Sequence, residues 1–196
     1  MGLMAPGRWR VAIVDDHERS RAALRAAIWA AGGEVAGETS RCADALPLVQ
    51  RTGADLAIFA VGLPDGDGLE AAAHVIATAD CPVVLFTSHT SAELVERATA
   101  AGVMAYLLKP LRPAELAPTL DLALARFRET RQLRETLEGR KVIERAKGAL
   151  MKRYGLSEEE AFRRLRRTAM DNRRPMVEIA RALLVSESVA PDVPTG

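Results

Sequence analysis

Several polar residues stand where short apolar runs stop. Asp15 and Asp16 follow Val11–Val14, Thr87 and Ser88 follow Pro82–Phe86, and Lys109-Pro110 follows Ala105–Leu108. Paired carboxylates are hard oxygen donors suited to Mg²⁺. A lysine beside them can instead neutralise them as an ion pair. A second group lies near the C-terminus, where Lys152, Arg153, Arg166, Arg173 and Arg174 have chemistry suited to phosphate. Glu159–Arg163 and Glu160–Arg164 have helical i,i+4 spacing, so those two arginines are expected to be paired locally. Arg163 and Arg167 repel at the same spacing unless Asp171 or an anion intervenes.

The elements that must carry these groups alternate. Val11–Val14, Val35–Gly37, Leu56–Val61, Pro82–Phe86 and Ala105–Leu108 read as strands, and the third is continuously apolar, as a strand buried on both faces should be. Between them lie helical stretches, an alanine-rich one to Ala31, then Cys42–Arg51, Leu69–Ala79 and a helix to Ala101 opened by a Thr90/Glu93 capping box. Strand–helix alternation predicts an α/β fold, a five-stranded doubly wound parallel sheet, whose ligands sit beyond the carboxyl ends of the strands. The polar groups of the front half stand at those ends, together with Ala60–Leu63.

Pro113 opens a long amphipathic connector helix running to Tyr154. Leu120, Leu124 and Phe127 share one face, and Leu133 and Leu137 suggest a coiled-coil seam. A small three-helix bundle follows. Its stripes are Ile143/Ala146/Leu150/Tyr154, then Phe162/Leu165/Ala169, then Val177/Ala180/Leu184; Gly155 ends the first helix and Ser157/Glu160 cap the second. Gly148 stands mid-helix, where it costs roughly 1 kcal/mol against alanine, which implies a close helix crossing or close ligand approach. The expected organisation is an N-terminal extension at 1–9, an α/β domain at 10–120, a connector at 121–139, a helical domain at 140–185 and a tail at 186–196.

Composition excludes several classes. The 196 residues are 48% hydrophobic and 27% charged with net charge +1, ordinary for a globular chain. No apolar run is long enough for a bilayer, and residues 1–10 lack a signal core, so a cytoplasmic protein with no membrane partner is expected. Cys42 and Cys81 cannot build a disulfide framework or a four-ligand zinc site. The balance hides an asymmetry. Residues 1–137 carry 14 basic and 17 acidic groups, while residues 138–185 carry 13 and 7. An acidic front and a basic back imply two domains with different partners.

The motifs VDDHE, DLAIFAVGLPDGDGLE, VVLFTSH and AGVMAYLLKP, in that order, resemble the receiver domains of two-component response regulators over residues 10–125. The resemblance implies that Asp15 and Asp16 hold Mg²⁺, that Thr87 and Lys109 contact a phosphoryl group, and that Tyr106 is the switch aromatic. It places Ala60 where the family carries its phosphoacceptor aspartate. Asp55 is no substitute, lying about 16 Å away along an extended strand. Asp65 and Asp67 in the following loop are the remaining carboxylates. Alanine can neither attack a phosphoryl donor nor bind a metal, so the expectation is no phosphoryl chemistry, a doubtful sensor kinase, at best a weak Mg²⁺ site, and Lys109 paired with the acidic residues. Tyr106 is then expected to be a packed sheet-edge aromatic. An Ala60 introduced by mutagenesis into a working phospho-switch is the other way to explain it.

Residues 140–184 resemble the ANTAR domain of antitermination regulators of the AmiR and NasR kind, through Ala146, Gly148, Met151, Gly155, Ser157, Ala161-Phe162, Leu165, Ala169-Met170 and Ala180. This implies a homodimer that binds RNA stem-loops in messenger leaders and stops a terminator from forming. Lys152, Arg153, Arg166, Arg173 and Arg174 are the candidate RNA contacts. With Phe162 assigned to the core, a base-stacking sheet is excluded, and recognition should rest on phosphate and arginine contacts with strong salt dependence. The resulting reading is a non-enzymatic RNA-binding antitermination regulator. Its rival is a protein-interaction adaptor whose basic bundle only dimerises.

Overall fold

Four apolar runs and the mixed segment Glu34–Thr39 become the five strands of one parallel sheet. The computed structural model describes residues 8–189. Their order is β1 (Arg10–Val14), α1 (Glu18–Ala30), β2 (Glu34–Thr39), a 3₁₀ turn (Cys42–Asp44), α2 (Ala45–Thr52), β3 (Leu56–Ala60), β4 (Gly62–Leu63), β5 (Gly66–Asp67), α3 (Gly68–Ala79), β6 (Val83–Thr87), α4 (Ala92–Ala100), β7 (Ala105–Leu108), α5 (Pro113–Tyr154), α6 (Glu158–Asn172) and α7 (Met176–Val189). The sheet order is β2-β1-β3-β6-β7, and β4 and β5 form a separate two-stranded hairpin. Every residue of β3 and β6 is buried, which is why both read as unbroken apolar runs. The register sets Val14 beside Phe59, Ala60 beside Phe86 and Thr87 beside Leu108, so the polar groups that follow emerge along one edge.

Alternating side chains fill two cores. On one face Val11, Ile13, Ile58 and Phe86 pack with Leu24 and Ile28 of α1 and with Leu116, Leu120 and Leu124 of α5. On the other, Val14, Phe59 and Leu85 pack with Leu48 and Val49 of α2 and Leu69 and Val75 of α3. α5 is one helix of 42 residues and passes through Pro118, a residue type that ordinarily breaks or kinks a helix interior. Leu116 and Leu120, on either side of the proline, are fully buried, and that burial holds the helix together there. The cap of α4 is Ser91, whose hydroxyl accepts from Leu94 N at 3.1 Å, one residue beyond the expected Thr90.

One compact unit ends at Glu129 and a second begins at Thr130. The second is built on Ala146 and Leu150 of α5, Ala161 and Leu165 of α6 and Ala180 of α7. Gly155 turns the chain with φ +64°, and Ser157 and Glu160 form the expected reciprocal capping box. Two stripes need correction. Tyr154 and Phe162 are exposed, and Ala161 takes the core position assigned to Phe162. Leu133 and Leu137, the suggested seam, are exposed at 60% and 56%. α7 continues to Val189, and the rest of the expected tail, like residues 1–7, lies outside the described residues.

Candidate functional site

The carboxyl ends of β1, β3, β6 and β7 surround a cavity of about 450 Å³, lined by Asp16, His17, Ala60, Thr87, His89 and Lys109 among others. Asp15 is buried behind it. Its Oδ1 accepts from the His17 backbone N–H at 2.8 Å, and its Oδ2 lies 2.6 Å from Lys109 Nζ, a charge contact without hydrogen-bond alignment. Asp16 turns to His17 Nδ1 at 2.6 Å. The lysine therefore pairs with one carboxylate, not both, and its ammonium also sits 5.0 Å from the Phe86 ring centre. Thr87 Oγ1 donates to His89 O at 2.9 Å and accepts from His89 N at 3.2 Å, so it braces the loop after β6. Ala60 contributes only a methyl group to the lining.

Ligand atoms of Asp15, Asp16 and His17 lie within 4.8 Å of one another. The donor set nonetheless suits Mg²⁺ poorly. That ion demands near-octahedral oxygen donors, whereas here both carboxylates already have partners and Ala60 supplies no oxygen. The loop carboxylates are also occupied. Asp65 accepts from Cys42 N at 2.8 Å and Ala43 N at 3.2 Å, and Asp67 caps α3 through Leu69 N at 2.7 Å while pairing with Arg97.

The Cys42 N–H, followed by Ala43 N–H and Arg41, holds the Asp65 carboxyl below its usual range. A depressed folded pKa contributes stability that is full above the unfolded value and lost as falling pH protonates the folded form. Asp65→Asn, which keeps the acceptor oxygen, is therefore expected to flatten the acid limb of stability. Urea midpoints measured from neutral pH down into the carboxylate range check this; an unchanged slope refutes it.

In the helical unit the basic residues separate into engaged and free. Arg153 reaches Glu187 at 2.6 Å and Arg174 approaches Glu178 at 4.0 Å. Arg167 lies 3.9 Å from Asp171, and Arg163 lies 3.9 Å from Glu159. Arg164 leaves Glu160 to the capping box and stacks over Tyr154 at 4.5 Å. Lys147 is buried and bonded to Glu144 (2.9 Å) and Glu158 (2.7 Å), joining α5 to α6. Those two carboxylates, Glu158 first, raise its pKa. Lys152, Arg166 and Arg173 have no ion-pair partner among the described residues. Arg166 is one helical turn along α6 from the exposed Phe162, Met170 is one turn further, and Arg173 caps the C-terminal end of the helix on the same side.

Two family descriptions match, the response regulator receiver domain over residues 11–121 and the ANTAR domain over residues 131–184. "Transcriptional regulatory protein PdtaR" of Mycobacterium tuberculosis is 38% identical over 182 residues, 89% of each chain. The chain belongs to the ANTAR response regulators. The "Nitrate regulatory protein" of Klebsiella oxytoca is 51% identical over 57 residues, 29% of this chain and 14% of that one. Among solved structures, the receiver domain of a modulated diguanylate cyclase from Desulfovibrio desulfuricans G20 superposes with TM-score 0.58 at 26% identity, covering 62% of this chain and 98% of that one.

As an ANTAR response regulator the chain is a regulator of transcription, and none of its described helices is long and apolar enough to cross a membrane. Asp15, Asp16, Thr87 and Lys109 come together at the receiver pocket as expected from their strand ends. Tyr106 does not pack as expected; on the edge strand β7 it is 51% exposed. Arg153 and Arg174 are removed from the set of free cations by Glu187 and Glu178. The i,i+4 spacing of Arg174 and Glu178 was legible and missed. Glu187 is 34 residues from Arg153, and no local spacing could reveal it. Lys147 escaped notice because its partners are an i−3 glutamate and one 11 residues away.

Proposed function

We propose that this chain is an RNA-binding transcription antitermination regulator, a non-enzymatic cytoplasmic homodimer whose receiver unit works without phosphorylation and with at most weak Mg²⁺. Its partners are stem-loops of messenger leaders, and no sensor kinase is required. The observation that carries this reading is the exposed side of α6, where Arg166 stands unpaired between Phe162 and Met170 and the unpaired Arg173 caps the helix end. Arg173 occupies the left-handed region at φ 52°, which costs an L residue about 1–2 kcal/mol where glycine would cost little. Two bundles in one dimer raise the effective concentration for an RNA with two hairpins.

The test titrates a two-hairpin leader RNA with untreated protein at several salt concentrations, beside an RNA with scrambled loops. Loop-dependent binding without any phosphoryl donor supports the reading. Arg166→Ala is expected to weaken binding by about 1–2 kcal/mol and to reduce the salt slope by about 1. Equal, weak, salt-sensitive binding of both RNAs refutes the reading. It would favour an adaptor acting through the exposed Val95, Tyr106 and Leu108 of α4 and β7.

A further inference from the structure

Gly148 lies inside α5, where glycine weakens a helix relative to alanine. Nothing in the fold requires it. A Cβ built there meets no atom within 4 Å, whereas one at Gly68 would collide with the Ala60 carbonyl. The close helix crossing expected from the sequence is therefore not made within this chain. The bare backbone at Gly148 faces outward.

Its surroundings on that face are Arg145 three residues before, Met151 three after and Lys152 four after, all exposed. Arg145 and Lys152 have no ion-pair partner among the described residues. Glu144, the nearest carboxylate on the face, is held by Lys147. The patch is thus open peptide backbone between two uncommitted cations, with a thioether at its edge. A second copy of the helix packed here would bring the same cations against these, which repel. A flat group tethered to phosphates satisfies both features, since its plane can lie on the peptide groups while the cations take the charge.

We propose that an unpaired loop base of the RNA lies flat on α5 at Gly148, with its flanking phosphates held by Arg145 and Lys152. The inference rests on the RNA-binding reading and specifies where the loop, as opposed to the stem, is read. Any side chain at 148 would lift the base from the helix.

The test uses the full chain and a pool of two-hairpin RNAs with fixed stems and randomised loops, from which the wild-type protein enriches its preferred loop. Gly148→Ala is expected to keep or raise the thermal midpoint, because the site is open and helical. It is expected to bind the enriched RNA about tenfold more weakly or worse. Its affinity for the same stems with scrambled loops should not change, nor should its sedimentation. Wild-type affinity of Gly148→Ala for the enriched RNA overturns the seat and leaves the RNA-binding reading standing. A changed monomer–dimer balance without a loop effect also overturns it and assigns the face to a second copy. Failure of the wild-type protein to enrich any loop overturns the RNA-binding reading itself, and the seat with it.

Discussion

Acetyl phosphate with Mg²⁺ is expected to leave the wild-type chain at its unmodified mass, while Ala60→Asp is expected to gain one phosphoryl group nearly to completion. Phosphoryl transfer needs an oxygen nucleophile in line with the leaving group and a metal bridging the phosphoryl oxygens. Ala60 offers a methyl group. Asp15 is held by Lys109, Asp16 by His17, Asp65 by two backbone N–H groups and Asp67 by its helix cap and Arg97. An aspartate at 60 would project into a cavity already lined by Asp16, Thr87 and Lys109, and would complete an oxygen set for the ion. Its thermal midpoint should therefore rise with added Mg²⁺ more than that of the wild type. Intact mass spectrometry decides the matter. A phosphorylated wild-type chain sinks the reading of a silent receiver, and an Ala60→Asp chain that folds but stays unmodified shows that more than the carboxylate has been lost.

Gly68→Ala should be the most damaging single methyl in the receiver unit. The added Cβ would lie 1.9 Å from the Ala60 carbonyl oxygen and 2.9 Å from that of Val61, both backbone atoms, so no side chain can move aside. The Gly68 N–H also bonds Val61 O at 2.7 Å, fixing the start of α3 against the end of β3. Relief requires the helix and the strand to part, at about 3 kcal/mol or more. Gly62→Ala is the control, since its Cβ meets nothing within 4 Å, and it should fall within about 0.5 kcal/mol of wild type. Thermal denaturation of both variants measures the difference. A Gly68→Ala midpoint equal to that of Gly62→Ala would mean that the approach of α3 to Ala60 is looser than described.

Much of the receiver unit was legible because its signals are local. β7 appears at Ala105–Leu108 as read, and β3 differs from the expected run by one residue, because unbroken apolar runs flanked by polar residues leave few alternatives. The pocket was legible for the same reason, since Asp15, Asp16, Thr87 and Lys109 all lie at or just past the end of a strand. The helical unit was read less well. Stripes on a short helix are separated by about 100° per residue, so Phe162 and Ala161 compete for one core position and the larger hydrophobe looked the better choice. Packing selected the alanine, because a small residue lets α6 sit close to its neighbours. Tyr154 left its stripe to stack against Arg164, a contact ten residues away in the chain. The free cations could not be known until Glu187 had been placed. Tyr106 belongs to an edge strand, and an edge residue has a neighbouring strand on one side only.

A salt bridge within one chain opens and closes without being consumed. The contact between Lys109 and Asp15 is made by the chain alone, whereas an acyl phosphate in the same pocket would be lost by hydrolysis. Under the proposed function the pocket keeps no time and counts no donors. What a cell can then vary is the number of copies, and because pairing depends on concentration, a modest change in synthesis or degradation would be converted into a steeper change in the paired form. Control would lie with the stability and supply of the chain, so variants that merely lower its folded fraction would also act on the genes it governs.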